Sequence, residues 1–245
     1  VGAPDAIEVA VDPEVVERFP EVQVAAIVAV DVDRAHAALA DGAGSRLLAE
    51  AAEAVRAAFP APDQVAADER IAAWRAAIRA CGLKASDVRS SVEQLVRRLL
   101  RDDDLGAAIP LVQAYCALSA KHVAPLGGYD VDRLPPGALT LRPADPGDAF
   151  EPLGGSAEKM PLDPRVVVYG AGDEVLCWAF NHRDSARTAL RPETTRAAFV
   201  GEAVTAAQRP GLAAALAELA QVLERHGASV SDVAVVDAER PRASL

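Results

Sequence analysis

The run Val22–Val32, almost continuous in Val, Ala and Ile, restricts the fold more than any other segment. Side chains that are apolar on both faces of an extended chain mark a strand buried on both sides. Its longest apolar stretch, Val24–Val30, is far shorter than the roughly 20 residues a membrane-spanning helix needs. A shorter strand is expected at Ile7–Val11, with Asp12-Pro13 starting a helical piece that closes at Phe19-Pro20. Helical stretches follow at about 43–59 and 63–81, separated by Pro60 and Pro62, the second stopped by Gly82.

Ser90-Ser91-Val92-Glu93 reads as a capping box, in which Ser accepts from an orphan N–H and Glu reaches back. Beyond it, Val92, Leu95, Val96, Leu99 and Leu100 share one helical face and Arg97, Arg98 and Arg101 the other; Asp102-Asp103-Asp104 and Gly106 are expected to end the helix. Another helix is expected over Pro110–His122. Pro and Gly then become dense to Gly172, with short apolar runs at Ala138–Leu141, Phe150–Leu153 and Val166–Tyr169. Val175–Phe180 and Ala197–Val200 continue the strand signal, a helix spans about Gly211–His226, and Val230–Val236 fits a last strand. The class expected is α+β, mixed sheets with packed helices, helix-rich first and strand-rich later, in one unit over 1–245.

Charge narrows the partners. The net charge is −11, whereas proteins that grip a polyanion broadly carry basic surfaces. Any RNA contact must therefore be local. Residues 181–196 form one such patch: Arg183, Arg187, Arg191 and Arg196 against Asp184 and Glu193. Cys81, Cys116 and Cys177 lie far apart, and His36, His122, His182 and His226 show no ligand spacing, so neither a disulfide framework nor a metal site is expected, and no cofactor. No basic, then apolar, then small-residue segment opens the sequence, and the cytoplasm is the expected compartment.

One ordered series of signatures covers residues 74–202. It runs Trp74-Arg75, Ser90-Ser91-Val92-Glu93 with Arg97-Arg98, and Pro110-Leu111-Val112 through Tyr115 and Ser119. It continues with Pro125-Leu126-Gly127-Gly128-Tyr129-Asp130, Phe150–Gly155, Val166–Tyr169 and Cys177–Ser185, with Thr194-Thr195 behind. In that order they resemble the free-standing relatives of the B3/B4 editing domain of phenylalanyl-tRNA synthetase. Residues 1–73, an N-terminal strand and helix portion, and 203–245, a C-terminal helix and strand, fit less sharply. In the synthetase β chain this domain hydrolyses tyrosine wrongly attached to the phenylalanine tRNA. The resemblance implies a similar deacylation in trans, with aminoacylated tRNA or a free amino acid as partner and no membrane. The sequence departs from the pattern in places: Gly127 stands where the synthetase domain has histidine, its Gly-Gly-Glu-Asp-Ser segment corresponds to Asn181-His182-Arg183-Asp184-Ser185 with Arg183 at the glutamate, and Ile109 stands where the free-standing family usually has asparagine.

The resemblance, with the polar density of Asn181–Ser185, implies a pocket built from 125–130, 151–155 and 181–195. Gly127, Gly128, Tyr129, Gly154, Asn181, Arg183, Ser185, Thr194 and Thr195 are the substrate-binding candidates, Asp184 and His182 the catalytic ones, and Arg187, Arg191 and Arg196 the RNA contacts. Gly127-Gly128 equally suits a tight turn with positive φ, and Thr194 and Thr195 a turn beside Pro192. In an extended strand His182 and Arg183 face opposite ways, and Arg183 is expected inward. A binding module without cleavage, or a small-molecule enzyme on the same scaffold, remains an alternative.

Overall fold

The computed structural model describes residues 7–102, 105, 109–148, 150–155 and 162–245. In chain order the strands are β1 Glu8–Val11, β2 Gln23–Val30, β3 Leu126–Asp130, β4 Leu139–Pro143, β5 Val167–Ala171 and β6 Glu174–Trp178. They continue with β7 Arg183–Asp184, β8 Arg196–Ala203, β9 Ser229–Val230, β10 Ala234–Asp237 and β11 Arg242–Ser244. One sheet has the order β11-β1-β4-β5-β6-β7; the other runs β10-β2-β8-β3, with β9 also on β2. Among the described residues only β1 and β4 pair in parallel.

The helices are α1 Pro13–Arg18, α2 Val32–Ala38, α3 Gly44–Ala58, α4 Glu69–Ala80, α5 Ser91–Leu100, α6 Pro110–His122 and α7 Arg209–Arg225. α6 is the hub, packed on α3, α5 and α7, while α7 covers β2 and β8. β2 is buried along most of its length, as its composition requires. With few aromatic rings available, those present are concentrated. Phe180 meets Phe19 and Trp74 edge to face, at centroid distances of 5.3 and 5.5 Å, geometries that contribute about 0.5–1.5 kcal/mol each beyond burial.

Local chemistry explains the helix starts. Asp12 accepts from Glu14 N, with Pro13 pre-set at the first helical position, and Asp68 accepts from Arg70 N and Ile71 N. Ser90 Oγ accepts from Glu93 N at 3.3 Å, but the reciprocal half of the expected capping box is missing. Glu93 instead turns inward and accepts from Arg75 and Arg97. Asp103, Asp104 and Gly106 lie outside the described residues; α5 ends at Leu100.

Five departures from the sequence reading are found. Val32 belongs to α2 rather than to the strand, because Asp31 takes φ 62° and turns the chain out of β2. The second early helix begins only at Glu69, after a 3-10 turn at Val65–Ala67. Phe150–Leu153 makes only an isolated bridge, Pro152 to Ser185, and Val230–Val236 is split into β9 and β10. Gly127 and Gly128 form no positive-φ turn; both lie within β3, opposite Val200 and Phe199. At Gly128 the lack of a side chain admits neighbours: a Cβ would sit 2.8 Å from Leu190 and 3.0 Å from Tyr115.

Candidate functional site

A cavity of about 190 Å³ lies between the two sheets. β3 contributes Leu126, Gly127 and Tyr129, and β8 contributes Val200 and Glu202; from the other sheet come Tyr169, Cys177 and Asp184. Ser91, Gln94, Leu95 and Arg98 enter from one face of α5, Tyr115 and Cys116 from α6. The helical spacing of 91, 94, 95 and 98 places them all on the same side.

The corner Ala179-Phe180 shapes the wall. Both residues take left-handed backbone, φ 54° and 61°, a conformation costly for residues with a Cβ. The Phe180 ring, wedged between Phe19 and Trp74, holds it there. Strand alternation therefore resumes only at Arg183. This reverses the expected orientation: His182 lines the cavity, whereas Arg183 is exposed and donates to Leu153 O.

Asn181 is clamped on both sides. Its Oδ1 accepts from Ser91 N at 2.9 Å and its Nδ2 donates to Glu202 Oε1 at 2.6 Å, which fixes the amide orientation. Tyr169 OH donates to Glu202 Oε2 at 2.8 Å, so the carboxylate is held from across the sheets. Glu202 is buried, and burial pushes its pKa up to about 7, with the charge of Asp184 adding to the effect and the two hydrogen bonds opposing it. Asp184 keeps partial access at the cavity wall, yet its carboxyl is surrounded by protein, and burial raises it to about 6 against the pull of the Cys177 thiol.

His182 Nδ1 lies 2.6 Å from Arg89 O. The carbonyl can only accept, so Nδ1 carries the proton and Nε2 is left as acceptor. Burial lowers the pKa of this imidazole despite that bond, and it stays neutral at pH 7. Burial also pushes the Cys116 thiol up to about 12 and Cys177 well above its ordinary value, so neither supplies a thiolate. Tyr115 and Tyr129 are buried and line the cavity, and neither hydroxyl has a hydrogen-bond partner among the described residues.

The other residues singled out from sequence lie elsewhere. Gly154 (φ 68°) sits in the 150–155 loop, from which Leu153 lines an adjoining hollow of about 420 Å³ that shares Tyr115, Cys116 and Asp184. Ser185 is buried and accepts from Arg187 N; Thr194 is buried and donates to Asp130 Oδ2 at 2.7 Å; Thr195 is exposed. Arg187 pairs with Glu174 at 2.9 Å, Arg191 with Glu193 at 3.8 Å and Arg196 with Asp132 at 3.2 Å. Arg97 bonds Glu93 and Pro62 O rather than standing in solvent. Glu202, Tyr169 and Ser91 were not singled out. The signal for Glu202 was available: an acid two residues past Val200 on the same strand face, inside an otherwise apolar run.

Among the described residues no cluster of three or more His, Cys, Asp or Glu side chains could hold a metal, and no helix is long and apolar enough to cross a membrane. No curated protein sequence matches the chain. Among solved structures, the crystal structure of an N-terminal fragment of the phenylalanyl-tRNA synthetase β-subunit from Pyrococcus horikoshii is similar, with a TM-score of 0.48 and 12% identity. The match covers 94% of this chain and 51% of that one, so the chain spans about half the length of that fragment. The family model described as "B3/4 domain" matches residues 73–224, well over half the sequence and the stretch that encloses every cavity residue named above. The chain belongs to the B3/4 domain family.

Proposed function

We propose that the chain hydrolyses an aminoacyl ester on a mischarged tRNA, in trans, with the aminoacyl end in the cavity between the sheets. The observation that carries this reading is the convergence of Asp184, Glu202 and Asn181 on a space of about 190 Å³ floored by Gly127. That space is smaller than the ~300–1,000 Å³ of sites for drug-sized ligands and suits an amino-acid-sized group.

With cysteine thiolates excluded by burial, water is the nucleophile. Asp184, ionised above about pH 6, accepts the water proton as the new C–O bond forms at the ester carbonyl. Tyr115 and Tyr129 offer hydroxyl donors to the developing oxyanion. As the ester C–O bond breaks, Asp184 returns the proton to the departing ribose oxygen. His182, neutral with a free acceptor nitrogen, is the second candidate base. An ester is already activated, so orientation of water and donor supplies most of what the reaction needs.

Arg98 at the cavity and Arg187, Arg191 and Arg196 are the proposed phosphate contacts. The last three sit in surface ion pairs worth about 0–1 kcal/mol each, which a polyanion can displace. The test is a deacylation panel of mischarged tRNAs with wild type, Asp184→Asn and His182→Gln. The expected result is ester loss that rises with pH through about 6 and is lost in Asp184→Asn. A wild-type rate equal to the buffer rate for every aminoacyl-tRNA overturns the proposal, and amino acid binding without ester loss would identify a binding module.

A further inference from the structure

We infer that the cavity recognises its ligand through a protonated primary amine, anchored on Glu202. The inference deepens the hydrolase reading by naming the group that the site grips, but its observations and test are separate.

Two carboxylates, Asp184 and Glu202, face one cavity, and neither has a cationic partner among the described residues. Buried acids in folded proteins are ordinarily paired, because an isolated buried charge is costly. Both partners of Glu202, Tyr169 OH and Asn181 Nδ2, are neutral donors, one to each oxygen. They orient the carboxylate without cancelling its charge. A second observation points to a ligand: Tyr129 is only 2% exposed and lines the cavity, yet its hydroxyl has no hydrogen-bond partner among the described residues. A Cβ on Gly127 would lie 3.4 Å from that hydroxyl and 3.9 Å from Asp184 Oδ1, so the empty space above Gly127 is flanked by both groups.

The remaining walls suit the same guest. Tyr115, Tyr129, Tyr169 and Phe180 all line the space, and aromatic faces attract ammonium groups. An ammonium brings three donors, and the cavity offers carboxylate oxygens and phenol oxygens as acceptors. Arg98, the one arginine or lysine on the lining among the described residues, comes from α5 and is not among the groups that perturb Asp184 or Glu202. Every aminoacyl group except prolyl carries such an amine two bonds from its carbonyl carbon. An α-ammonium on Glu202 would therefore bring that carbonyl within range of Asp184 on the facing wall. A side-chain amine offers the same chemistry from a different source.

The test is binding of small probes to the whole protein, without RNA, by calorimetry or by chemical-shift changes of the cavity residues. L-alaninamide carries only the α-amine, Nα-acetyl-L-lysinamide only a side-chain amine, and Nα-acetyl-L-alaninamide none. Either of the first two should bind while the third does not, and whichever binds identifies the source. Glu202→Gln should weaken that probe about ten-fold or more, with its fold checked by circular dichroism. Equal binding of the uncharged probe, or no binding of either amine, overturns the inference, and the comparison of probes on wild type decides it even if the variant misfolds. Amine binding without deacylation would sink the hydrolase reading alone; deacylation that tolerates an acetylated amine would sink this one alone.

Discussion

Asn181 donates its amide to Glu202 Oε1 at 2.6 Å while accepting from the backbone N–H of Ser91, so one side chain ties the first turn of α5 to the central strand β8. Replacing it leaves a helix N–H uncapped and a buried carboxylate short of a donor. Asn181→Ala should destabilise the protein by about 1–3 kcal/mol, read from urea denaturation. A loss within experimental error would mean that the bridge is idle.

Glu202 makes stability depend on pH in an unusual direction. Burial holds its folded pKa at about 7 against 4.5 for the ordinary side chain. Between those values the folded state keeps a proton that the unfolded chain releases, so stability falls as pH rises from about 4.5 to 7 and is flat above. The span corresponds to about 3 kcal/mol from this residue. Asp184 acts in the same direction. Glu202→Gln should flatten the decline in melting temperature between pH 5 and 7.5; an unchanged slope would contradict the assignment.

Glu93 is fully buried and accepts from Arg75 at 2.8 Å and Arg97 at 3.0 Å, with Arg89 3.7 Å away. Removing the acid that these three guanidinium groups share leaves like charges facing one another. Glu93→Ala should cost about 3–5 kcal/mol, whereas Arg187→Ala, at an exposed pair, should stay within about 0.5 kcal/mol. Parallel denaturant titrations check the contrast.

Gly127 and Gly128 are adjacent but should respond oppositely. A Cβ at Gly127 meets nothing closer than 3.4 Å and protrudes toward the cavity, so Gly127→Ala should fold normally and reduce ligand capacity. At Gly128 a Cβ meets Leu190, Tyr115 and Phe199 within 3.2 Å, and Gly128→Ala should lose about 1–3 kcal/mol by overpacking. Melting curves beside binding or deacylation assays separate the two effects.

Much of this arrangement was legible beforehand because its signals are local. Helix caps at Asp12 and Ser90 and the apolar face of α5 announce themselves in a few residues. The meeting of Gly127 with Asn181, His182 and Asp184 was legible through the order of motifs rather than through any one of them, whereas Gly128 and Arg183 lie outside that cavity. What stayed hidden depends on distant partners. Gly-Gly reads as a turn until Tyr115 and Leu190 are known to press on it. His182 and Arg183 alternate correctly only if the strand has begun, and the left-handed corner at Ala179-Phe180, held by rings more than a hundred residues away, delays it. Glu202 and Tyr169 find each other across two sheets, a pairing no sequence window contains.

The place of β8 has a consequence for motion. This strand pairs with β2 from Arg196 to Ala203 and with β3 from Ala197 to Gly201, so amides in its middle should exchange hydrogen only on global opening, and Glu202 follows directly on that stretch. The two-residue β7, at the rim of the other sheet, meets no full strand on its outer side among the described residues, only the 151–153 loop through Leu153 N–H to Asp184 O and the bridge from Pro152 to Ser185. The cavity thus works as a vice with one fixed jaw and one that can yield, and adaptation to guests of different size falls to the Asp184 side.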